Sequence, residues 1–340
     1  MSNLEVLKTK EKESALAILS CFELLKEFKQ REEKEKMSFG EKLKFKGVGD
    51  KDVYNITAHF EVDGITYILG RVESRDSETD TQSIFFIKEG DAWIPDENKP
   101  VFEMQDPFFT KIDDEIIVGG VETFSVSNQE NDNRRTWKTV FYKGKNLNDL
   151  EKFAEGPVGM KDIRIIKLPN DKIAVFTRPG DIGTRKKDEI GGKIGYIEIN
   201  SLDELNNKEI INKAKIIDGL FAEDEWGGAN ELHLLENNKI GVLGHIARFK
   251  NKKVEGKARN KGYYGMTFSF DLESKQALKV KIIATAGCFP EEEAKREELK
   301  DVVYSGGLKV KDNEVVWHGG TRDSGAGRKK VGDSLKDLFL

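Results

Sequence analysis

Met104-Gln105-Asp106-Pro107-Phe108 sets a carboxylate directly before a proline. The proline biases Asp106 toward an extended backbone and removes a neighbouring N–H donor. A carboxylate so placed can act as a general acid, although an Asp-Pro step at a strand entrance is more often only a turn. Gly159-Met160-Lys161-Asp162-Ile163-Arg164 puts Lys161 and Asp162 side by side where a strand begins. Adjacent side chains on a regular strand face opposite ways, so both point inward only across a bulge. Without one, the two make a surface ion pair. Gly227-Gly228-Ala229-Asn230-Glu231-Leu232-His233 offers a second carboxylate, Glu231, on a glycine-bearing approach to a strand. Glycine there lets backbone come close to a ligand or to another segment. Tyr304-Ser305-Gly306-Gly307 and His318-Gly319-Gly320-Thr321-Arg322-Asp323 repeat this glycine-rich polar ending, which turn chemistry alone also produces.

The elements that must position these residues are short strands. From about residue 44 the hydrophobic period is two, in runs such as 52–60, 65–71, 82–88, 115–121, 137–143 and 163–168. Further runs fall at 172–177, 193–199, 239–245, 264–270, 279–284, 302–309 and 314–318. Turn signals separate them: Asp63-Gly64, Glu89-Gly90, Asp113-Asp114, Asn170-Asp171, Asn237-Asn238 and Asp312-Asn313. Such a series with no helical pattern between the strands predicts an all-β sandwich, barrel or propeller.

A weak repeat selects the propeller. FEVDGITYILGR, FTKIDDEIIVGG, IKLPNDKIAVFTR, HLLENNKIGVLGH and LKVKDNEVVWHG share one pattern, an apolar strand, a turn and a second apolar strand with a polar end. Their spacing of roughly 45 to 75 residues suits one four-stranded blade each. Five blades are therefore expected. The units end at Arg71, Gly120, Arg178, His245 and His318/Gly319, which aims Arg71, Arg178 and His245 at one axial cavity, a plausible anion site.

Residues 1–37 differ from the rest. Ala15, Ile18, Leu19, Phe22, Leu25 and Phe28 recur at helical spacing among Lys and Glu. One or two amphipathic helices are predicted, covering the main domain or forming a contact between copies. The organisation expected is a helical extension over 1–40 and one five-bladed β-propeller over 41–340. The run from Arg248 to Lys261 reads as a solvated hairpin loop, or as a lid that gathers anions.

Bulk properties bound the partners. The 340 residues are 34% charged and 37% hydrophobic, enough for a solvated globular core, and the net charge of −5 gives no electrostatic reason to expect nucleic acid. No apolar run nears the roughly 20 residues that span a bilayer, and the N-terminus lacks the apolar region of a secretory signal. Cys21 and Cys288 are far apart, and His59, His233, His245 and His318 form no HExxH or HxH pair. Reduced thiols in a cytoplasmic protein without a zinc site are expected. No EF-hand, phosphate-binding loop or dinucleotide fingerprint is present, so no metal or organic cofactor is expected.

The order of landmarks carries a resemblance. Arg71-Val72-Glu73 after a YIL strand, Asp106-Pro107, Lys161-Asp162 and Thr177-Arg178-Pro179 come first. His245 after IGVLG, the YYGMTFSFDLES strand and WHGGTRD follow. From about 52 to 325 the chain thereby resembles the five-bladed β-mannoside phosphorylases of glycoside hydrolase family 130. GPVGMKDIRI, NELHLL and VVYSGGL resemble more closely the mannosyltransferase/phosphorylase family, glycosyltransferase family 108, formerly a domain of unknown function and shared by bacteria and Leishmania. The chain departs from the phosphorylase pattern at QDPF, where those enzymes usually have EDPR, and at LGHIA, where they have YHG. An arginine is thus missing at Phe108.

The resemblance implies reversible, inverting phosphorolysis. A β-mannoside, with β-1,2-linked mannooligosaccharides as the expected class, and phosphate would give α-mannose 1-phosphate and a shortened acceptor. Phosphate is already a competent nucleophile, so the second carboxylate that an inverting hydrolase uses to activate water is not needed. The implied acid is Asp106, acting through a sugar hydroxyl as in the related phosphorylases. Lys161, Arg178 and His245 are the implied phosphate ligands, and Asn55, Arg71, Asp162, Glu231 and Asp323 the partners of mannose hydroxyls. Some relatives use a sugar-nucleotide donor; here mannose 1-phosphate is the expected donor of the synthetic direction. An inverting hydrolase, with Asp162 or Glu231 activating water, and a non-catalytic sugar-binding propeller are the alternatives.

Overall fold

The structure is a computed structural model that describes residues 19–35, 38–77, 79–125, 135–179, 191–236, 238–254, 258–311 and 314–332. Ala15 and Ile18 of the expected helix, Asn237, the Asp312-Asn313 turn and part of the basic run lie outside the described residues.

Helix α1 spans Cys21–Glu35. It opens with a capping box: Glu23 N–H donates to Ser20 Oγ at 3.3 Å, and Ser20 N–H donates to the Glu23 carboxylate at 2.8 Å. Cys21, Leu24 and Phe28 form its buried stripe, and Cys21 N–H donates to Glu225 at 2.7 Å. Arg31 donates to the Ile282 carbonyl and Lys329 lies 3.4 Å from Glu32, so the helix covers the outside of the β domain.

The strands form four hydrogen-bonded sheets, antiparallel within each hairpin. Sheet 1 contains Asp52–Tyr54, Phe60–Val62, Ile65–Glu73, Gln82–Glu89 and Ala92–Pro95. Sheet 2 contains Gln105–Ile112, Glu115–Ser125, Arg135–Gly144 and Glu151–Glu155. Sheet 3 contains Arg164–Lys167, Ile173–Thr177, Gly195–Ile199 and Lys215–Ile216. Sheet 4 has eight strands in two halves. Its first half runs Glu225–Leu235, Lys239–Phe249, Lys261–Asp271 and Ala277–Ala284. Its second half runs Asp301–Lys311, Glu314–Thr321 and Gly325–Lys330, completed by Glu41–Lys42 from the other end of the chain. Among the described residues, strand pairing between the halves is the short parallel run of Gly262 with Asp301 and Tyr263 with Val302.

Face-to-face packing orders the sheets in a ring. Alternate residues of one strand serve different neighbours, as the two-residue strand period requires. Ile116 and Val118 pack toward sheet 1, and Ile117 toward sheet 3. Ile173 and Val175 pack toward sheet 2, while Ala174 and Phe176 pack toward sheet 4. Ala326, at the end of sheet 4, packs against Val53, Ile56 and Val72 of sheet 1 and closes the ring. The architecture is mostly β and propeller-like.

Each repeat noticed in the sequence forms the first hairpin of a sheet or half-sheet. Several strand limits differ from expectation. The run 52–60 breaks after Tyr54, because Asn55 takes the left-handed region with φ 48°. Gly227 to His233 lies within the strand Glu225–Leu235 instead of leading into it. The strand at 92–95 is too short to show a period, and those at 151–155 and 325–330 carry too few apolar residues to stand out.

Candidate active site

Asp106 and Pro107 sit where two strands of sheet 2 slip. Gln105 pairs with Val121 and Phe108 with Gly119, which leaves one extra residue as a bulge. The bulge turns Asp106 into the left-handed region, φ 51°, against the extended backbone expected before a proline. The buried Asp106 carboxylate accepts from Asn55 Nδ2 at 2.7 Å and from Arg71 Nη1 at 3.3 Å. Gly320 is glycine because a Cβ there would lie 2.0 Å from Asn55 Oδ1.

Arg71 and Glu73, two apart on one strand, share a face. Arg71 Nη2 donates to both Glu73 oxygens at 3.1 and 2.9 Å, and the guanidinium lies 4.8 Å from the centre of the Tyr54 ring. Burial works against the arginine's charge, but Asp106, Tyr54, Glu73 and Asp323 outweigh it and raise its pKa. Glu73 is wholly buried and also accepts from Tyr54, Thr81 and Lys295. Burial alone would raise its pKa; Arg71 and these donors hold it below the usual carboxylate range. Asp323 faces the same group, and burial, with the charge of Asp106, raises its pKa against the pull of Arg71.

A second cluster forms at the start of sheet 3. Lys161 and Asp162 precede the strand, and Asp162 is left-handed at φ 58°, so neither obeys strand alternation. Arg178 Nη1 donates to Asp162 at 2.6 Å, with both side chains only 2% exposed. Burial pushes the Asp162 carboxyl up, and Arg178, with Lys161, His245 and Arg164, pulls it well below the usual range. His245 Nδ1 lies 2.9 Å from Asn230 Oδ1, and its ring stacks on Tyr263. Burial pushes its imidazole down to about 3, so it is neutral, and its Nε2 has no hydrogen-bond partner among the described residues. Gly228 makes room for both groups: a Cβ there would lie 2.5 Å from Asp162 Oδ2 and 2.9 Å from His245 Cε1. Lys161 is half-buried, 6.0 Å from the Trp137 ring centre, with no hydrogen bond or ion pair among the described residues.

Tyr304 and Arg164 join the clusters. Tyr304 Oη reaches the Asp106 carbonyl at 3.5 Å and accepts from Arg164 Nη2 at 3.2 Å. Arg164 Nε donates to the Asn230 carbonyl at 2.6 Å, and its guanidinium lies 4.2 Å from the Phe108 ring centre. His245 feels the charge of Asp106, and Tyr304 feels both Asp106 and Asp162. One site therefore holds the hydrogen-bonded Asp106 carboxylate on one side and the Lys161, Asp162, Arg178 and His245 cluster on the other.

Of the residues singled out in the sequence, Asn55, Arg71, Asp106 and Asp323 gather on the first side, and Lys161, Asp162, Arg178 and His245 on the second. Glu231 is placed differently. Its carboxylate accepts from Leu308 N–H at 2.6 Å, lies 2.7 Å from His233 Nε2, and borders a cavity of about 290 Å³ with His59, Phe109 and Lys309. Glu73, Tyr54, Asn230 and Tyr304 belong to the site but were not singled out. Glu73 had a signal, its two-residue offset from Arg71; Lys295, in an acidic loop, had none. Among the described residues no group of three or more His, Cys, Asp or Glu is placed to hold a metal ion.

Residues 29–337 match the profile of DUF1861, described as a protein of unknown function. The chain belongs to the DUF1861 family. This DUF1861 chain is similar to a mannose phosphorylase from Leishmania mexicana solved in complex with phosphate ion. Identity is 31% with a TM-score of 0.80, over 93% of this chain and 95% of that one. It is similar also to a GDP-Man-dependent mannosyltransferase from Leishmania mexicana, at 30% identity and a TM-score of 0.80, over 92% and 94% of the two chains. A β-1,2-mannobiose phosphorylase from Listeria innocua, solved with β-1,2-mannobiose, shares the fold at 14% identity and a TM-score of 0.57, over 85% and 93%. No curated protein matches the DUF1861 chain.

Proposed function

We propose that the chain is an inverting β-mannoside phosphorylase and mannosyltransferase that acts on β-1,2-linked mannooligosaccharides. The observation that carries this reading is the division of the site. Asp106 is held by Asn55 and Arg71, and a separate cluster sets Lys161, Arg178 and His245 around Asp162. Similarity to a mannose phosphorylase that binds phosphate supports it.

In phosphorolysis Asp106 gives a proton to a sugar hydroxyl, which passes its own proton to the leaving glycosidic oxygen as the C–O bond breaks. A phosphate oxygen attacks the anomeric carbon from the opposite face, which yields α-mannose 1-phosphate and the shortened acceptor. In synthesis the acceptor hydroxyl's proton passes to the Asp106 carboxylate by the same route and phosphate leaves. Lys161 and Arg178, rather than a metal ion or an organic cofactor, neutralise the phosphate. His245, being neutral, offers a hydrogen bond without a charge. Asn55, Arg71 and Asp323 are assigned to the mannose ring, and Asp162 orients Arg178 at its edge. An inverting hydrolase would need Asp162 or Glu231 to activate water; the first is committed to Arg178 and the second to His233 and Leu308.

The scaffold is read as a five-bladed propeller over 41–340, with sheets 1 to 3 and the two halves of sheet 4 as blades and Glu41–Lys42 closing the last one. Cys21 and Cys288 are free thiols, which suits the cytoplasm, and no helix among the described residues is long and apolar enough to cross a membrane. Exposed Leu19 and Phe22 support a contact between copies through the N-terminal helix; a Phe22→Glu chain with an unchanged elution volume would dismiss it.

The test is a product assay on β-1,2-mannobiose with and without phosphate. Mannose 1-phosphate formed only with phosphate is expected. Equal mannose release without phosphate would establish a hydrolase, and no product a binding propeller. Similarity to a GDP-Man-dependent enzyme favours a second reading, transfer from a sugar nucleotide, which GDP-mannose as donor would reveal.

A further inference from the structure

We propose that Glu73 and Lys295 are positioning residues for the general acid: through Arg71 they set how tightly the Asp106 carboxylate is held, and thus the pH range in which it can give up a proton. This rests on the reading of Asp106 as the acid of a phosphorylase.

Four side chains of alternating charge form a ladder through the interior: Lys295, Glu73, Arg71 and Asp106. Their side chains are 4%, 0%, 9% and 12% exposed. Charges so placed escape most of the screening that solvent gives surface pairs. Arg71 is shared between two carboxylates. Nη2 faces Glu73 at 2.9 and 3.1 Å, and Nη1 reaches Asp106 at the longer 3.3 Å. What Glu73 takes from the guanidinium is therefore withheld from Asp106. Lys295 sets how much Glu73 takes. Its ammonium pairs with Glu73, donates to the Ser77 carbonyl at 2.6 Å, and lies 3.2 Å from Tyr54 Oη.

The ladder also ties distant parts of the chain. Arg71 and Glu73 come from sheet 1, Asp106 from sheet 2, and Lys295 from the segment between the halves of sheet 4. Lys295 N–H donates to the Arg322 carbonyl at 3.0 Å, beside Asp323. The other groups facing Asp106 are Asn55, Tyr304, Asp323 and His245; the other donors to Glu73 are Tyr54 and Thr81.

Two substitutions in the ladder have opposite expected signs. Glu73→Gln keeps the shape, removes a like charge near Asp106 and leaves Arg71 to Asp106 alone. Both effects favour the carboxylate, so the acid is spent at lower pH. The basic limb of the kcat–pH profile for phosphorolysis of β-1,2-mannobiose should move down by about one unit. Lys295→Met removes a cation and lets Glu73 draw Arg71 away, so the same limb should move up. A residue that only supports the fold would lower activity without moving the two limbs in opposite directions. Should Glu73→Gln not fold, Lys295→Met and Thr81→Val carry the test, since both leave Glu73 more dependent on Arg71 and must move the limb upward. Limbs that stay in place, or move together, in folded variants of an active enzyme would overturn the inference. A wild-type chain without phosphate-dependent turnover overturns the functional reading instead. In that case ¹³C NMR of labelled aspartate, with Asp106 assigned through Asp106→Asn, reads the same opposed shifts in its titration without catalysis.

Discussion

Lys161 and Arg178 look equivalent in the sequence, as two cations near one strand start, but the structure gives them different work. Arg178 is committed to Asp162 at 2.6 Å, with both side chains 2% exposed. Lys161 is half-buried and has no ion pair among the described residues. Lys161→Met should therefore leave stability within about 0.5 kcal/mol of wild type, because no native charge pair is broken. A charge-assisted contact to phosphate is worth about 1.5–3 kcal/mol, so KM for phosphate should rise about ten- to a hundredfold. KM for the mannoside should not change. Arg178→Met strands the Asp162 carboxylate in a buried place, and breaking such a pair costs about 3–5 kcal/mol. It should lower the urea midpoint sharply, and adding Asp162→Asn should restore part of the loss, since the stranded charge is then gone.

The assays are equilibrium urea unfolding and initial rates with each substrate varied in turn. The reasoning is refuted if Lys161→Met destabilises as much as Arg178→Met. It is refuted as well if Lys161→Met weakens mannoside and phosphate equally, which would place the ammonium on the sugar.

Asp106→Asn keeps the size of the acid but removes its proton; phosphorolysis should fall by about 10²–10⁴-fold, and near-normal turnover would end the assignment. Because charge neutralisation is assigned to Lys161 and Arg178, dialysis against a strong chelator should leave turnover with mannose 1-phosphate unchanged; loss of activity restored by one metal ion would show a missed site. Stability should fall as the pH drops below neutral. Burial pushes the His245 and His318 imidazoles down to about 3, against an ordinary 6.5, so the unfolded chain binds protons first and stability is lost as pH drops below 6.5. At pH 5.5 each of these contributes on the order of 1 kcal/mol to the loss. His233, raised by Glu231 against burial, offsets part of it. A urea midpoint that is flat between pH 7.5 and 5.5 would contradict the burial of these rings.

The fold was legible where one physical rule acts locally. The second strand of each leading hairpin, such as ITYILGR or KIGVLGH, is apolar on both faces because both faces meet a neighbouring sheet. Outer strands such as Glu151–Glu155 touch water and carry too little apolar signal. Site residues were legible as types at strand ends, but their partners were not. Arg71 and Asp106 read as independent hits, although the bond between them depends on how sheets 1 and 2 meet. Lys295 sits in PEEEAKREELK, which looks like a solvated charge run, yet it is almost wholly buried because Glu73 and the Ser77 carbonyl wait for it. The partners of Glu231 were not legible either: it follows the bulge between Ala229 and Glu231, and its carboxylate meets Leu308 N–H and His233.

Two kinds of backbone bring side chains to the site. Arg71, Glu73 and His245 reach it from regularly paired strands. Asn55, Asp106, Asp162 and Asp323 reach it where the alternation is broken, with φ of 48°, 51°, 58° and 52°. Asp and Asn are the residues besides glycine that enter this region most readily. The same preference places Asp63, Asp113, Asp171 and Asn238 at hairpin turns, with φ of 52° to 64°, so an isolated Asp before a strand does not show from sequence alone which use it serves. The distinction is burial: Asp113 and Asp171 at turns make exposed pairs with Lys167, whereas Asp106 and Asp162 pair with the buried Arg71 and Arg178. This is also why asparagine is the informative replacement at Asp106. It tolerates the left-handed backbone as aspartate does, whereas alanine would add backbone strain to the loss of the proton and confound the two.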